Sequence, residues 1–250
     1  MTILFKSDPV VGGADAWREQ LAKRLPDLPF RVWPDVGNPA DIQFFLGFKA
    51  ATGDFVGMTN LKAVLATGAG VDGIFLAEDL PDVAIARIID PWMTEQMAQW
   101  ALYAVLHFYR RFGDYQAQQA DSNWNELDPW RAEMARVGML GCGAIGQEIG
   151  RRLADTGFEV AGWTRSARDL GDITNFHGEN GFAPFLARSN FLICLLPLTD
   201  DTRGLLNTAA FSHLPEEAYL INMARGRIVD TDDLVVALDG GRIKGAFLDV

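Results

Sequence analysis

Short apolar runs alternate with longer segments of helical periodicity along the first third of the chain. Between the first two runs, Trp17, Leu21 and Leu25 recur at the spacing of one helix face, which predicts a helix over 14–25. Strands that alternate with helices indicate a parallel sheet with helices packed on it. The runs that predict strands are residues 3–5, 31–33, 42–48 and 63–67.

The longest helical pattern begins at Pro91, a residue that suits the first turn of a helix, and it predicts a helix over 91–111. The segment 116–131 is polar apart from Trp124 and Trp130, so we predict an irregular connecting arm there. We expect these two tryptophans to pack locally or against another subunit rather than against a ligand. The periodic positions of the helix are Met93, Met97, Trp100, Ala101, Ala104, Val105, Phe108 and Arg111.

A second alternating pattern occupies the rest of the chain. The run 191–196 is almost purely apolar, as a central parallel strand should be. Gly240 and Gly241 follow the second of two predicted helices and should end it. The predicted strands are 137–140, 159–164, 191–196, 219–222 and 246–250, and the predicted helices are 145–154 and 233–238.

Composition and charge restrict the class of protein. Of the 250 residues, 49% are hydrophobic and 22% are charged, which excludes a disordered or collagen-like chain. The formal net charge is −11, so we expect neither nucleic acid nor an anionic membrane as a partner. No apolar run approaches the roughly 18 residues of a membrane span, and no secretory signal is evident at the N-terminus.

The cysteines and histidines indicate the cellular compartment and give no sign of a metal site. Cys142 and Cys194 lie in apolar contexts, and we interpret them as buried free thiols of a cytoplasmic protein rather than as a disulfide. The three histidines, His107, His177 and His213, show no metal-ligand spacing with them, so we expect no metal.

A glycine-rich turn, Gly141-Cys142-Gly143-Ala144-Ile145-Gly146, follows the predicted strand 137–140 and opens the predicted helix 145–154. Gly141 would allow the tight turn, Gly143 the approach of backbone to a pyrophosphate, and Gly146 the close packing of helix on strand. The free N–H groups of a helix N-terminus favour phosphate there. The turn therefore predicts a dinucleotide site, with a simple glycine-rich turn as the alternative.

The tip of the next strand indicates which dinucleotide is bound. NAD-binding units usually place an acidic residue there for the ribose hydroxyls, but this chain has Thr164, Arg165, Ser166 and Arg168. A guanidinium holds a 2′-phosphate through paired donors, and serine adds a short donor. We therefore predict a preference for NADP(H) over NAD(H), although NAD(H) remains possible and a solvated loop with incidental arginines is the alternative.

With these residues in view, the chain resembles the D-isomer-specific 2-hydroxyacid dehydrogenase family, and within it the NADPH-preferring glyoxylate/hydroxypyruvate reductases. The resemblance covers essentially the whole chain and depends on the order and spacing of separate motifs. These motifs occupy residues 67–72, 141–146, 163–166, 195–199, 222–226 and 245–250.

The resemblance implies two α/β domains, each a Rossmann-like parallel sheet, around a cleft. Residues 1–91 would form the substrate domain, and 92–250 the dinucleotide-binding domain. The chain stops inside an apolar strand. We therefore expect it to be incomplete in both domains, with a closing C-terminal segment outside the sequence.

The resemblance also implies roles for particular residues. Arg225 would bind the substrate carboxylate and polarise the keto oxygen, unless it pairs with a neighbouring carboxylate and only holds the loop 222–230. Backbone N–H groups around Gly68, Ala69 and Gly70 would clamp the carboxylate from the other domain. Asp249 would contact the nicotinamide carboxamide, unless it is simply a strand-end acid. Further cofactor contacts are implied for Leu196, Pro197, Thr202, Met223 and Ala224.

One feature of the family is missing. The family mechanism needs a histidine as proton donor and a glutamate beside it, and none of the three histidines stands in a matching motif. Both residues would lie downstream of residue 250. Either the sequence is a piece, in which case these 250 residues should catalyse poorly, or the chain binds a dinucleotide without reducing a substrate.

The leading hypothesis is an NADPH-dependent reductase of small 2-keto acids such as glyoxylate and hydroxypyruvate. We expect a homodimer through the helix 92–111 and the arm 116–131, unless their large apolar residues all pack within one subunit. These residues are Trp92, Trp100, Tyr103, Phe108, Trp124 and Trp130. An NAD-linked D-2-hydroxyacid dehydrogenase is an alternative, which the Thr164–Arg165–Ser166 tip disfavours. A dinucleotide sensor or corepressor-like interaction protein is a second alternative, which Arg225 and the motif at 68–70 disfavour.

Overall fold

The computed structural model describes residues 1–6, 13–128, 130 and 135–250. The chain forms two compact units, Met1–Asp90 and Pro91–Val250. Residues 129 and 131 of the predicted arm lie outside the described residues.

The first unit is built on a parallel sheet of five strands in the order β2-β1-β3-β4-β5. Alternating side chains of β1 (Thr2–Lys6) enter opposite faces of the sheet, because Leu4 joins one buried cluster and Ile3 and Phe5 join another. The elements are β1 (Thr2–Lys6), α1 (Ala14–Ala22), β2 (Phe30–Val32), β3 (Ile42–Gly47), β4 (Ala63–Ala66) and β5 (Ala84–Ala86), with short 3₁₀ helices at Pro39–Asp41 and Ile74–Leu76.

The second unit contains a parallel sheet of six strands in the order β11-β10-β9-β6-β7-β8. Its strands are β6 (Arg136–Leu140), β7 (Glu159–Thr164), β8 (Thr174–His177), β9 (Phe191–Cys194), β10 (Ala218–Asn222) and β11 (Ile243–Leu248). Its helices are α2 (Pro91–Tyr109), α3 (Phe112–Ala120), α4 (Ala144–Asp155), α5 (Gly178–Ala187), α6 (Thr208–His213), α7 (Thr231–Asp239) and a 3₁₀ turn at Gly226–Ile228.

Helices cover both faces of this second sheet. Met139 and Ile193 face one buried cluster, which α2 and α4 complete, whereas Leu140 and Leu192 face another, which α5, α6 and α7 complete. A strand that is buried on both faces needs apolar side chains at every position, which explains the continuous apolar run at Phe191–Cys194. The predicted α/β class with two parallel-sheet units is confirmed.

The predicted irregular arm is wrong in its first part, because residues up to Ala120 form α3. Arg111 adopts a left-handed conformation with φ of 57°, which ends α2 and separates the two helices. An Arg111–Asp114 ion pair at 2.8 Å supports the first turn of α3. The helix is largely polar and has no buried residue, so it lacks the apolar periodicity by which helices are predicted.

Four further elements, β5, β8, α5 and α6, are not evident from the sequence pattern. Two of the strands are only three or four residues long. Pro184 lies inside α5 and removes a backbone hydrogen-bond donor. A proline at such a position predicts that a helix ends before it. Short or interrupted elements of this kind form because tertiary packing covers them, as with Phe185 and Leu186 in the core.

The large aromatic residues near α2 fall into two sets. Trp100 contacts Phe247 edge-on, and Phe108 stacks on Tyr219 with ring centroids 4.2 Å apart. In contrast, Trp92 and Trp124 are 68% and 99% exposed. Trp124 therefore does not pack within its own unit.

Both cysteines are buried free thiols, as predicted. No helix among the described residues is long and apolar enough to cross a bilayer. The part of the chain that the structure describes also contains no cluster of histidine, cysteine or carboxylate side chains arranged to hold a metal ion.

Candidate dinucleotide site

The parallel register brings distant segments of the second unit to one edge of its sheet. Leu140 is level with Trp163 on one side and with Cys194 on the other. Asn222 is level with both Cys194 and Leu248. We call these five residues the exit row, because the chain leaves the sheet directly after each of them or, in β7, one residue later. Neighbouring strands lie about 4.8 Å apart, so the segments that follow the row are adjacent.

The strand order reverses at the centre of this row. The chain continues from β6 outward through β7 and β8, then returns to place β9 on the other side of β6. Open parallel sheets bind ligands at such a switch point, outside the carboxyl ends of the strands. The glycine turn leaves β6 at this point.

Two of the three glycines in the turn are required by backbone geometry. Gly141 has φ of +103°, and a Cβ there would lie 2.9 Å from the carbonyl group of Leu195. A Cβ on Gly146 would lie 2.0 Å from the carbonyl oxygen of Gly141. A side chain at Gly146 would therefore push α4 away from the turn, so this glycine sets how closely the helix approaches the sheet.

Gly143 serves a different purpose. It has φ of −77°, which other residues adopt, and a Cβ there would meet no described atom within 4 Å. Because Gly143 is the N-cap of α4, no side chain caps the helix, and the first turn contains no acidic residue. The N–H groups of Ala144, Ile145 and Gly146 are left open to an anion, so the turn fits a pyrophosphate.

An ion-pair cluster fixes α4 against α2. Arg152 binds Glu95 of α2 through two donors at 3.2 and 3.1 Å, and its Nε donates to Glu148 at 2.7 Å. Hydrogen bonds from Arg151 and Arg152 lower the pKa of Glu148 from 4.5 to about 2. The helix that presents the open amides is therefore held from its solvent side as well as from the core.

Cys142 fills the space beneath the turn. Its sulfur occupies the position that a side chain on Gly162 of β7 would need, since a Cβ there would be 2.3 Å away. Burial raises the pKa of the Cys142 thiol to about 11, and the positive charge of Arg168 opposes that rise. The thiol is thus protonated at neutral pH and contributes packing rather than charge.

The tip of β7 carries exposed cationic side chains, as the sequence indicates. Arg165 is 87% exposed and lies 3.6 Å from the carboxylate of Asp201, while Ser166 and Arg168 are also exposed. Asp169, the next acid along the chain, accepts a hydrogen bond from the Gly171 N–H at 2.9 Å. Its carboxylate is engaged in its own turn.

Thr164 differs from its neighbours because it is buried. Its hydroxyl donates to the carbonyl oxygen of Ser166 at 2.8 Å and accepts from Asn175 at 2.9 Å. The single hydroxyl proton is therefore used inside the loop. The predicted contact of Thr164 with a cofactor remains a prediction, and the structure gives its side chain an internal role as well.

The loop after β9 is organised by a hydroxyl. Thr202 Oγ1 donates to the Pro197 carbonyl oxygen at 2.6 Å and accepts from the Thr199 N–H at 2.8 Å. Leu196 is half-buried and Pro197 is exposed at the mouth of this loop. All of these residues follow the exit row, next to the glycine turn, where their predicted cofactor contacts would be made.

Arg225 lies at the end of β10 on a braced turn. Asn222 is 1% exposed, accepts from the Ala224 N–H and donates to the Arg225 carbonyl oxygen, both at 3.1 Å. The half-buried Arg225 side chain donates to the Ala224 carbonyl oxygen at 2.7 Å. The predicted contacts Met223 and Ala224 are buried beside it, with the Met223 N–H on the Cys194 carbonyl oxygen at 3.1 Å.

Asp249 follows the exit row on β11. Its side chain is exposed, and its backbone N–H donates to the Asn222 carbonyl oxygen at 3.0 Å. The second unit thus brings all of the predicted cofactor residues and Arg225 to the carboxyl edge of its sheet.

The predicted carboxylate clamp at 68–70 belongs to the first unit, where it follows β4. The carbonyl oxygen of Gly68 accepts from Ile88, and that of Ala69 accepts from Arg87 at 3.4 Å. Among the described residues, the N–H groups of Ala69 and Gly70 donate no hydrogen bond. A Cβ on Gly68 would lie 2.8 Å from the Phe48 ring, so glycine is required there.

Two residues that organise the site were not among the predicted ones. Asn175 and Asn222 each hold a loop through their side-chain amides. Asn222 stands in the Asn222–Gly226 motif and could have been found from it, since a short amide commonly hydrogen-bonds backbone two residues on. Asn175 lies in a short strand with no motif, so its role follows only from the pairing of β7 with β8.

Comparison with known proteins identifies the family. Residues 102–250 match the family model for the D-isomer specific 2-hydroxyacid dehydrogenase, NAD binding domain. The chain is 38% identical over 244 residues to the glyoxylate/hydroxypyruvate reductase A of Serratia proteamaculans, covering 95% of this chain and 77% of that protein. The chain belongs to the D-isomer-specific 2-hydroxyacid dehydrogenase family. The residues that match this NAD binding domain lie within the second unit. The division into a substrate domain over 1–91 and a dinucleotide-binding domain over 92–250 stays a prediction.

Solved structures of this family superpose closely. A D-isomer specific 2-hydroxyacid dehydrogenase from Xanthobacter autotrophicus Py2, in complex with NADPH and MES, matches with a TM-score of 0.90 at 35% identity, over 99% of this chain and 81% of that one. An NADPH-dependent glyoxylate/hydroxypyruvate reductase from Sinorhizobium meliloti, in complex with NADP and sulfate, matches with a TM-score of 0.87 at 30% identity. The match covers 100% of this chain and 81% of that one.

The two glycines at the start of α4 give a matched test of the site. We expect Gly143→Ala to keep the melting temperature, because its Cβ meets only open space, but to weaken dinucleotide binding at least about tenfold, or about 1.4 kcal/mol. Gly146→Ala should instead lower the stability by roughly 1–3 kcal/mol, since its Cβ meets a carbonyl oxygen. Thermal melts and fluorescence titration with NADPH measure both. Unchanged affinity in Gly143→Ala would place the dinucleotide elsewhere.

Proposed function

We propose that this family member is an NADPH-dependent reductase of small 2-keto acids, with glyoxylate and hydroxypyruvate as candidate substrates. The observation that carries the proposal is the tip of β7. Beside a turn that fits a pyrophosphate, it presents the exposed cations Arg165 and Arg168 and no carboxylate from Thr164 to Arg168. The NADPH and NADP complexes of the Xanthobacter and Sinorhizobium proteins support the same preference.

The residues present fit the proposed cofactor. The open amides of α4 would bind the pyrophosphate, and Arg165, Ser166 and Arg168 would bind the 2′-phosphate. Asp249 would accept from the carboxamide, at the opposite end of the exit row. When bound, the nicotinamide supplies a hydride to the keto carbon.

Arg225 is the proposed substrate-binding cation. A 2-keto acid carries a carboxylate, and its keto oxygen gains negative charge during reduction. The guanidinium fork can donate to both groups, and its attraction to the keto oxygen grows as that charge develops. The braced turn at Asn222 would hold the fork in place, and the open amides of Ala69 and Gly70 are the second proposed carboxylate-binding group.

The first prediction concerns cofactor preference. Arg165→Ala should raise the Kd for NADPH about 10- to 150-fold, which corresponds to roughly 1.5–3 kcal/mol for a charge-assisted contact, and should leave the Kd for NADH within about twofold. Arg151→Ala is a matched control, because Arg151 is also an exposed, ion-paired arginine of the same unit. If the ratio of the two constants is the same in Arg165→Ala as in the parent, the 2′-phosphate assignment is wrong.

The second prediction concerns turnover. Arg225→Lys keeps the charge but loses the paired geometry, so kcat should fall on the order of 10²–10³ and KM should rise, with Arg225→Gln worse. The resemblance places the proton-donating histidine outside residues 1–250, so kcat is measured on the full-length protein.

The melting temperature of the same Arg225→Lys preparation separates catalysis from structure. An unchanged melting temperature together with a much lower kcat supports the catalytic role of Arg225. If Arg225 only holds the loop 222–230, the variant should melt at lower temperature and keep a near-normal kcat per folded molecule.

The third prediction concerns assembly. We propose a homodimer through the face of α2 and the following segment, where Trp92, Tyr103 and Trp124 are exposed. Tyrosine and tryptophan are enriched at protein–protein interfaces relative to the rest of the surface. Trp124→Ala should weaken the dimer by about tenfold or more, whereas Phe75→Ala, which removes an exposed ring of the first unit, should not. Sedimentation as a monomer at micromolar concentration would contradict the proposal.

A further inference from the structure

The loop after β7 has little backbone structure of its own. Residues 166–168 lie beyond the β7–β8 ladder, which ends at Thr164, and among the described residues they make no backbone-to-backbone hydrogen bond. The side chains of residues 165–168 are exposed, so this part of the loop has no apolar anchor, and the first buried side chains after it are Leu170 and Ile173. A loop of this kind samples many conformations unless side chains hold it.

Asn175 supplies that restraint from the neighbouring strand. It lies on β8, level with Gly162, and its side chain reaches past the end of β7. Its Oδ1 accepts from the Arg168 N–H at 2.9 Å, and its Nδ2 donates to Thr164 Oγ1 at 2.9 Å and to the Phe176 carbonyl oxygen at 3.0 Å. One amide group thus joins both ends of the loop.

Thr164 extends the restraint into the loop. Its hydroxyl accepts from Asn175 and donates to the Ser166 carbonyl oxygen at 2.8 Å, so the hydrogen bonds run in series from Asn175 to Ser166. Thr164 is buried, which removes competing water from this chain of bonds. Asn175 therefore restrains the chain on both sides of Arg165, at the Thr164 hydroxyl before it and at the Arg168 N–H after it.

We propose that Asn175 is a positioning residue that sets the cofactor preference, by holding the loop in the conformation from which Arg165 reaches a 2′-phosphate. The proposal depends on the proposed function, because it takes Arg165 as the group that binds that phosphate. Asn175 itself need not touch the cofactor. Backbone amides of α4 would bind the parts common to NADPH and NADH, so only the phosphate-dependent part of the affinity should depend on Asn175.

The expected change in the Kd for NADPH depends on the fraction of molecules in which the loop holds Arg165 where it reaches the 2′-phosphate. We call this the competent fraction. The apparent Kd equals the intrinsic Kd divided by that fraction. Asn175→Leu removes all three hydrogen bonds at nearly constant volume and without adding charge. If the competent fraction falls to about 10–20%, the Kd for NADPH rises about 5- to 10-fold. The Kd for NADH should change less than about twofold, since its binding does not use Arg165.

A double-mutant cycle tests whether the effect acts through Arg165. NADPH and NADH are titrated against the full chain by fluorescence for the parent, Asn175→Leu, Arg165→Ala and the double variant, with melting temperatures on the same preparations. Cofactor preference is expressed as the Kd for NADH divided by the Kd for NADPH, so a loss of NADPH affinity lowers this ratio. In the Arg165→Ala background, Asn175→Leu should leave the ratio unchanged, because the group it positions is gone. Asn175→Ala replaces Asn175→Leu if the larger side chain prevents folding.

Asn190→Ala is the matched structural control. Asn190 is a 2% exposed asparagine at the amino edge of the same sheet, and it accepts from Arg136 at 3.2 Å. Its loss should lower the melting temperature and leave the ratio of the two constants unchanged.

The outcomes separate the two proposals. A lower ratio in both single variants with no further fall in the double variant supports Asn175 as the positioning residue. A lower ratio in Arg165→Ala alone leaves the phosphate assignment standing and overturns the role of Asn175. The role of Asn175 is also overturned if Asn175→Leu lowers the ratio by the same factor in the parent and in the Arg165→Ala background. An unchanged ratio in Arg165→Ala overturns the phosphate assignment and this inference with it.

Discussion

The close approach of α4 to the turn after β6 is the constraint on which the second unit depends. The carbonyl oxygen of Gly141 occupies space that any side chain on Gly146 would need, and a Cβ on Gly141 would lie 2.9 Å from the carbonyl group of Leu195, which directly follows β9. These contacts fix the start of α4 at the point where the strand order reverses. The open amides of the helix therefore face the same edge as the segments that follow β7, β9, β10 and β11, and the candidate site is a consequence of packing that backbone atoms alone determine.

Charge is organised locally in a chain that is acidic overall. The net charge of −11 would repel an anion at long range, but screening limits that effect to about 8–10 Å in physiological salt. At the β7 tip lies the guanidinium of Arg165, and the first turn of α4 contains no acidic residue that would oppose an anion at its amides. Asp201 lies 3.6 Å from Arg165 and is 77% exposed, so this pairing is weak enough for a phosphate to compete with it.

The sequence predicted those features that depend on local pattern. The glycine turn, the β7 tip and the continuous apolar strand at Phe191–Cys194 each have a signature in a few consecutive residues. Elements with conflicting local signals were not predicted, such as α5 with its internal proline and α3 with its polar surface. Asn175 could not have been assigned either, because its role arises from register with β7, a contact between residues that no spacing rule connects.

Backbone groups and side chains of the candidate site would bind different parts of the dinucleotide. Backbone amides of the turn can serve the pyrophosphate common to both nicotinamide dinucleotides, and their geometry is set by glycines whose replacement disturbs the fold. The group that would distinguish the two cofactors meets side chains on a loop held chiefly by one asparagine and one threonine. Changes in that loop alter specificity without altering the sheet, because the loop lies beyond the exit row. Cofactor binding and cofactor choice thus rest on different physical interactions, the first on packing and the second on a short series of hydrogen bonds.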